Sequence, residues 1–436
     1  MNILSAENSY VRFFIQYSLP FIVIGIISRT FPITSPAYFI VPVLLLINIL
    51  LVFILIPRTN KTLTYFFIIF ALPLYCLITS IWSLNPIISL QRSLYLLLLY
   101  AGILSSVLLY KKFYPDKGIG FLIPANIMIL VLSAVSLIFG IPEDSWSGGN
   151  GLGFMGFAGH QNTLAAAILF TLPGIVAWGL DKSGFPLRSN IAQNATSRVF
   201  RLSSYSAFGG LLLVSNVLLL ILTYSRASIL ALVIGTITYL IITKSKKILA
   251  ILFIITALLV VLYFTIPFIQ NSFDSVLTKD GGKILGRRMI LWEPSLEAAK
   301  LGGVFGLGYG VSAPAIKTPV LTGSHYEDGR YIREKGNSVL AMIEETGLIG
   351  LILFLLPMIW IIRKFIIYNS QFTIKENLRS NSTFYIVHCT LFAMLVHAQF
   401  EAWWVGVGSV AIPLFLIFLF MTLSSTYFFK SNTETK

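Results

Sequence analysis

The sequence predicts an all-α, polytopic membrane protein with about 12 transmembrane helices and one large extracytoplasmic loop between the ninth and the tenth. Three observations predict it. Hydrophobic residues make up 56% of the 436-residue chain and charged residues only 11%, at a mean hydropathy of +0.85. No soluble domain of that length could hide so much apolar surface. Apolar runs long enough to cross a bilayer recur along the whole chain. The one long break in them, Gln270 to Gly336, is polar and carries nine of the 31 Lys and Arg residues.

A transmembrane helix needs about 20 mostly apolar residues. Twelve segments qualify: 13–31, 37–56, 64–82, 93–110, 120–140, 162–180, 207–223, 227–243, 248–268, 338–362, 384–400 and 406–428. The first holds Gln16 and Pro20, and 384–400 holds His388 and His397. Arg12 precedes the first run and no small-residue cleavage pattern follows it, so it reads as an uncleaved span. Only Tyr224-Ser225-Arg226 separates 207–223 from 227–243, which forces a tight helical hairpin. The chain thus divides into helices one to nine (1–268), the extracytoplasmic loop with an amphipathic helix (269–337), and helices ten to twelve with a cytoplasmic tail (338–436).

Charge sets the orientation. With the N-terminus in the cytoplasm, 19 of the 31 basic residues fall on cytoplasmic segments, and only Arg29, Arg92 and Arg226 fall on short outer ones. Positive charge is retained inside, so most of the net +14 is topogenic rather than a footprint for nucleic acid. Both termini are expected in the cytoplasm, and the loop on the outer face of the cytoplasmic (inner) membrane. Arg29 and Arg92 read as snorkelling interfacial residues. Arg226, at the tip of a hairpin on the side that disfavours positive charge, has no such ordinary reading. Cys76 and Cys389 lie in apolar runs and read as small buried hydrophobes, not as a disulfide or a metal site.

In the loop, Leu285, Met289, Trp292 and Leu296 share one helical face. They predict an amphipathic helix lying on the bilayer, anchored by Trp292, bent or restarted at Pro294 and ended by Gly302-Gly303. Its Arg287 and Arg288 either touch lipid phosphate or bind a substrate pyrophosphate, which the planar guanidinium pairs with bidentately. Gly306-Leu307-Gly308-Tyr309-Gly310 lacks the strand and helix of a dinucleotide fingerprint. It is a turn, either simply that or one that brings backbone close to a ligand. His325, Glu327 and Glu334 are candidate general bases for an alcohol acceptor, weighed against a solvated loop surface. The single His and the lack of ligand spacing argue against zinc.

Glu344-Glu345, near the outer end of the tenth span, must meet water or cations there. In Glu401-Ala402-Trp403-Trp404, the last outer connection, the aromatics read as an interfacial belt. Glu401 is either a satisfied interfacial acid or the partner of an arginine. The glycine-rich stretch Gly148 to Gly159 is a flexible connector or a re-entrant loop lining a cavity.

Six pieces, in order, carry a resemblance. They are Gly159-His160-Gln161-Asn162, Tyr224-Ser225-Arg226-Ala227-Ser228, Arg288 with Trp292, Gly306-Leu307-Gly308-Tyr309-Gly310, Asn337-Ser338-Val339-Leu340 with Glu344-Glu345-Thr346-Gly347-Leu348-Ile349-Gly350, and Glu401. Together, over about residues 155 to 420, they resemble the bacterial O-antigen ligase / O-antigen polymerase superfamily. The resemblance implies a metal-independent, inverting glycosyltransferase without a cofactor. Its donor would be a polyprenyl-pyrophosphate-linked oligosaccharide, used at the outer face within membrane lipid, with a chain-length regulator and a flippase as further partners. By motif, Arg226 and Arg288 would contact the donor pyrophosphate, and His325, Glu327 and Glu334 are stand-in candidates for the base. Arg287, Asn162, Tyr309, Asn337 and Glu401 would bind substrate. Ligases of this family typically carry a His just before the Asn of the loop-to-helix junction. Here that position is Gly336, which favours a polymerase of O-antigen or exopolysaccharide repeat units over a ligase acting on lipid A-core.

A transporter or flippase is the rival from another class. It predicts ionisable residues deep within spans and discontinuous helices. The deep polar residues here are few, Gln16, His388 and His397, while charge concentrates at the outer surface.

Overall fold

The computed structural model describes residues 9–29, 38–56, 60–141, 153–182, 195–265, 286–313, 325–327, 330–332, 335–371, 382–406 and 408–427. The described chain is almost wholly helical. In order come α1 (Ser9–Ser28), α2 (Ile40–Leu55), α3 (Asn60–Thr79), α4 (Pro86–Phe113), α5 (Ile123–Phe139) and α6 (Gln161–Lys182). They are followed by α7 (Ala195–Leu222), α8 (Arg226–Ile242), α9 (Lys246–Thr265) and α10 (Gly286–Gly302). After a two-stranded antiparallel hairpin, β1 (His325–Glu327) with β2 (Arg330–Ile332), come α11 (Ser338–Gln371), α12 (Ser382–His397) and α13 (Ala411–Tyr427). The hairpin is the one departure from all-α among the described residues, and the hydropathy pattern held no sign of it.

Each apolar run read from the sequence lies on a helix. Five helical stretches are long and apolar enough to cross a membrane: Ser9–Ser28, Pro86–Phe113, Gly120–Phe139, Gln161–Leu180 and Ser338–Ile367. Shorter apolar helices accompany them, among them Ile40–Leu55, Arg226–Ile242 and Ser382–His397. Large apolar side chains stand exposed in rows, such as Leu211, Val214, Leu218 and Ile221 on α7 and Ile352, Leu356, Ile359 and Ile366 on α11. Such rows are unfavourable in water and suit a hydrocarbon solvent. This is a multi-pass membrane protein.

At the centre, α13 is buried on all sides, with Leu414, Phe415, Leu416, Ile417, Phe418 and Phe420 wholly covered. A helix that is apolar all round belongs there. α4 packs against α1, α2, α3 and α13. Polar side chains join helices inside the bundle. Asn126 of α5 and Asn216 of α7 exchange two amide hydrogen bonds of 2.8 and 2.9 Å, and Asn126 also donates to Thr171 of α6 at 2.9 Å. Interhelical amide bonds of this kind hold helices together where no hydrophobic force between them exists. Cys76 and Cys389 are free and buried, as their apolar surroundings implied.

The connections between helices are built into this bundle rather than lying over it. The hairpin turn between α7 and α8 is as tight as the spacing required, with Tyr224 in the left-handed region at φ 53°. The described tail of the glycine-rich stretch tucks inward: Phe154, Met155, Phe157 and Ala158 are buried, and Phe154 N–H donates to Leu222 O at 2.8 Å. Inside α11, Gly347 takes φ 68° and breaks the helix. A side chain there would collide with the Val304 carbonyl. The turn after α10 fills the break. Leu348 N–H donates to Gly303 O and Ile349 N–H to Val304 O, while Leu307 and Gly308 donate to the freed carbonyls of Glu344 and Glu345. The glycine-rich turn therefore serves the helix break.

Candidate functional site

The start of α11 organises one end of the bundle. Asn337 caps it: its Oδ1 accepts the Leu340 N–H at 3.0 Å, while its Nδ2 donates to Gln399 O at 2.9 Å. Ser338 Oγ donates to Glu401 O at 2.6 Å and accepts the Trp403 N–H at 3.0 Å. Ser338 N–H donates to Ala398 O. The 398–404 turn is thus clamped onto a helix N-terminus. Trp403 and Trp404, expected as a lipid belt, are both buried. Their rings pack on Phe415 and Phe354, because the clamp turns them inward.

α10 meets the same turn. It is a single helix that runs through Pro294. Its buried face is Leu291, Ser295, Ala298 and Ala299, while Met289 and Leu296, expected to face the bilayer, are 44% and 49% exposed. Small residues decide this. A Cβ on Gly302 would strike the Ile343 carbonyl, so the small-residue face lets α10 and α11 approach closely. Trp292, expected as the bilayer anchor, also contacts protein. Its Nε1 donates to Gly336 O at 3.1 Å and its ring faces Phe400 at 6.1 Å. Ser295 Oγ donates to Lys335 O at 2.6 Å.

This packing delivers Arg288 to Glu401. Arg288 Nη2 lies 2.8 Å from Glu401 Oε1, and Nη1 donates to Phe400 O. Asn162, in the first turn of α6, donates from Nδ2 to the same Glu401 Oε1 at 2.7 Å. The Arg288 and Glu401 side chains are 19% and 22% exposed, so the pair is accessible. Four stretches far apart in sequence converge here, and of the expected site residues the structure brings together Asn162, Arg288, Asn337 and Glu401.

Arg226 opens α8, half-buried, beside the same region. Two residues on, Ser228 Oγ lies 3.1 Å from His397 Nε2, and Trp403 Nε1 donates to His397 Nδ1 at 3.1 Å. Indole nitrogen only donates, so Nδ1 carries no proton and Nε2–H donates to Ser228. His397, read from the sequence only as a deep polar residue, couples the α8 N-terminus to the Glu401 turn. No spacing in the sequence signals it.

Other expected residues lie elsewhere. Tyr309 is 1% exposed, its N–H donates to Thr79 Oγ1 at 3.1 Å, and burial pushes its phenol well above the ordinary tyrosine range. It is packed into the scaffold. Arg92 does not snorkel: its Nη1 donates to Gly310 O at 2.7 Å. His325 pairs across the hairpin with Ile332, and its side chain, like those of Arg287 and Glu327, lies outside the described residues. Glu334 lies outside them altogether.

Close to the start of α11 sits a buried charge cluster. Lys335 Nζ lies 2.5 Å from Glu345 Oε1 and 3.4 Å from Glu344 Oε2. Gly310 N–H donates to Glu345 at 2.6 Å and Ala313 N–H to Glu344 at 2.9 Å. The two acids thus meet a cation and backbone donors, the condition their position imposed.

No curated protein matches the chain. A family model described as O-antigen ligase matches residues 211–355, from α7 to the middle of α11. That stretch contains Arg226, Arg288, Asn337 and the Glu344–Glu345 pair, and its members are membrane glycosyltransferase-like enzymes. The match covers about a third of the chain, and that stretch is similar to the O-antigen ligase family.

Proposed function

We propose that the protein is a membrane glycosyltransferase that polymerises polyprenyl-pyrophosphate-linked oligosaccharide repeat units on the outer face of the cytoplasmic membrane. The observation that carries this reading is the accessible Arg288–Glu401–Asn162 cluster, with Arg226 at the neighbouring helix start. Arg288 commits one bond from each terminal nitrogen to protein and has further N–H groups to offer an oxyanion. As the glycosidic bond to pyrophosphate breaks, negative charge grows on the leaving group. Fixed guanidiniums stabilise that charge more in the transition state than in the ground state. The mechanism is inverting and metal-independent in this reading, and the lipid tail of the donor stays in the bilayer. Twelve spans with both termini in the cytoplasm fit the placement of basic residues and put the site outside.

Gly336 favours polymerisation over ligation. It takes φ 63°, and a Cβ there would lie 2.9 Å from Leu291 Cβ. No histidine fits at that junction without moving α10. The test is a gel of surface and lipid-linked polysaccharide from a deletion strain, complemented with wild type or Arg288→Ala. Single-repeat glycans in the deletion, with a ladder restored only by wild type, support a polymerase. Long lipid-linked chains that never reach an acceptor indicate a ligase. Unchanged glycans would end the glycosyl-transfer reading and turn attention to transport.

A further inference from the structure

Glu401 is held in an unusual way for an acid whose only task is to pair with an arginine. One oxygen, Oε1, takes both anchoring bonds, from Arg288 Nη2 at 2.8 Å and from Asn162 Nδ2 at 2.7 Å. The other, Oε2, makes no hydrogen bond among the described residues, and the side chain keeps 22% of its surface exposed. A carboxylate that served only to orient the guanidinium would gain most by using both oxygens in a fork. Its own backbone is fixed too, by Ser338 Oγ on the Glu401 carbonyl at 2.6 Å and by the neighbouring Trp403 N–H on Ser338. The result is a rigid carboxylate with one oxygen immobilised and one presented.

Among the described residues, two other positions for a base are closed. Gly336 leaves no room for an imidazole at the junction, and His397 spends both ring nitrogens on Trp403 and Ser228. We infer that Glu401 is the general base of the transfer, its Oε2 accepting the proton of the acceptor hydroxyl. This rests on the glycosyl-transfer reading above. In the step, the acceptor oxygen forms a bond to C1 of the donor sugar as its O–H bond breaks toward Oε2. The bond from C1 to the phosphate oxygen breaks, and its electron pair leaves with the polyprenyl pyrophosphate. The proton is then released from Oε2 to water. Arg288 holds the acid on one side and faces the leaving group with its remaining donors, so one pair links the two ends of the displacement.

Glu401→Gln separates a base from an orienting acid, because the glutamine carbonyl oxygen can still accept from Arg288 and Asn162. The assay uses purified full-length protein in nanodiscs with the polyprenyl-pyrophosphate repeat unit, with and without sodium azide. Azide attacks C1 without giving up a proton and needs no base. The expected result is a loss of sugar-to-sugar transfer on the order of 10²- to 10⁴-fold in Glu401→Gln, with glycosyl azide still formed at a rate near that of wild type. Arg288→Ala, in contrast, should lose both reactions. Transfer by Glu401→Gln within tenfold of wild type would overturn the assignment, as would a loss that azide does not rescue, which would make Glu401 a positioning residue. If wild type itself forms neither product, the glycosyl-transfer reading fails, and the two failures are distinct.

Discussion

Arg288 and Glu401 stand 113 positions apart in the chain and 2.8 Å apart in space. One comes from a helix of the long polar stretch, the other from the 398–404 turn. Their pairing requires α10 to lie against α11 and α11 to clamp the 398–404 turn, so the site is a product of how these connections pack.

Replacing Arg288 by Ala should lower transfer by roughly 10²- to 10³-fold, the usual effect of removing one donor to a developing oxyanion. Arg288→Lys should recover little, since an ammonium lacks the planar fork that reaches Phe400 O and Glu401 together. Rates with purified protein and lipid-linked donor check both. A lysine variant at wild-type rate would show that charge alone suffices.

Asn337→Ala removes the cap of α11 and its tie to Gln399. Loss of such a cap costs about 1 kcal/mol. Thermal unfolding in detergent should show a small drop in Tm. Transfer should fall by more than that drop explains, because the same residue holds the turn that carries Glu401. Equal loss of both would make Asn337 a stability residue only.

Gly336→His restores the residue type found at this junction in ligases. It should destabilise rather than convert the protein. The left-handed conformation alone costs roughly 1–2 kcal/mol for a residue with a Cβ, and the new Cβ meets Leu291. Yield and Tm should fall, and no transfer to lipid A-core should appear on a lipopolysaccharide gel. Such transfer would mean that one residue separates the two activities.

Lys335→Met would strand Glu344 and Glu345, both buried, without their cation. Breaking a buried pair from one side typically costs about 3–5 kcal/mol. Unfolding of Lys335→Met should therefore occur well below wild type, and adding Glu345→Gln should recover part of the loss. Additive losses in the double variant would show that the cluster is not coupled.

Tyr309→Phe should leave both Tm and transfer nearly unchanged. The Tyr309 hydroxyl is buried with no hydrogen-bond partner among the described residues, so removing it relieves an unsatisfied group. A large loss of transfer would return Tyr309 to the site.

Hydropathy is a local property, and the sequence by itself determined what depends on it: the apolar helices, the polar break between 270 and 336, and the tight turn at Tyr224. The motif order also singled out Asn162, Arg226, Arg288, Asn337 and Glu401, and the need of Glu344–Glu345 for a cation followed from burial cost. Tertiary structure alone decided which face of α10 is covered. An apolar stripe there competes with a stripe of small residues, and close approach to the broken α11 favours the small one. That choice turned Trp292 inward, sent Tyr309 into the core and set Arg288 on Glu401. His397 and Lys335 were illegible for the same reason. Their partners lie on other elements, and a contact across the bundle leaves no period in the chain.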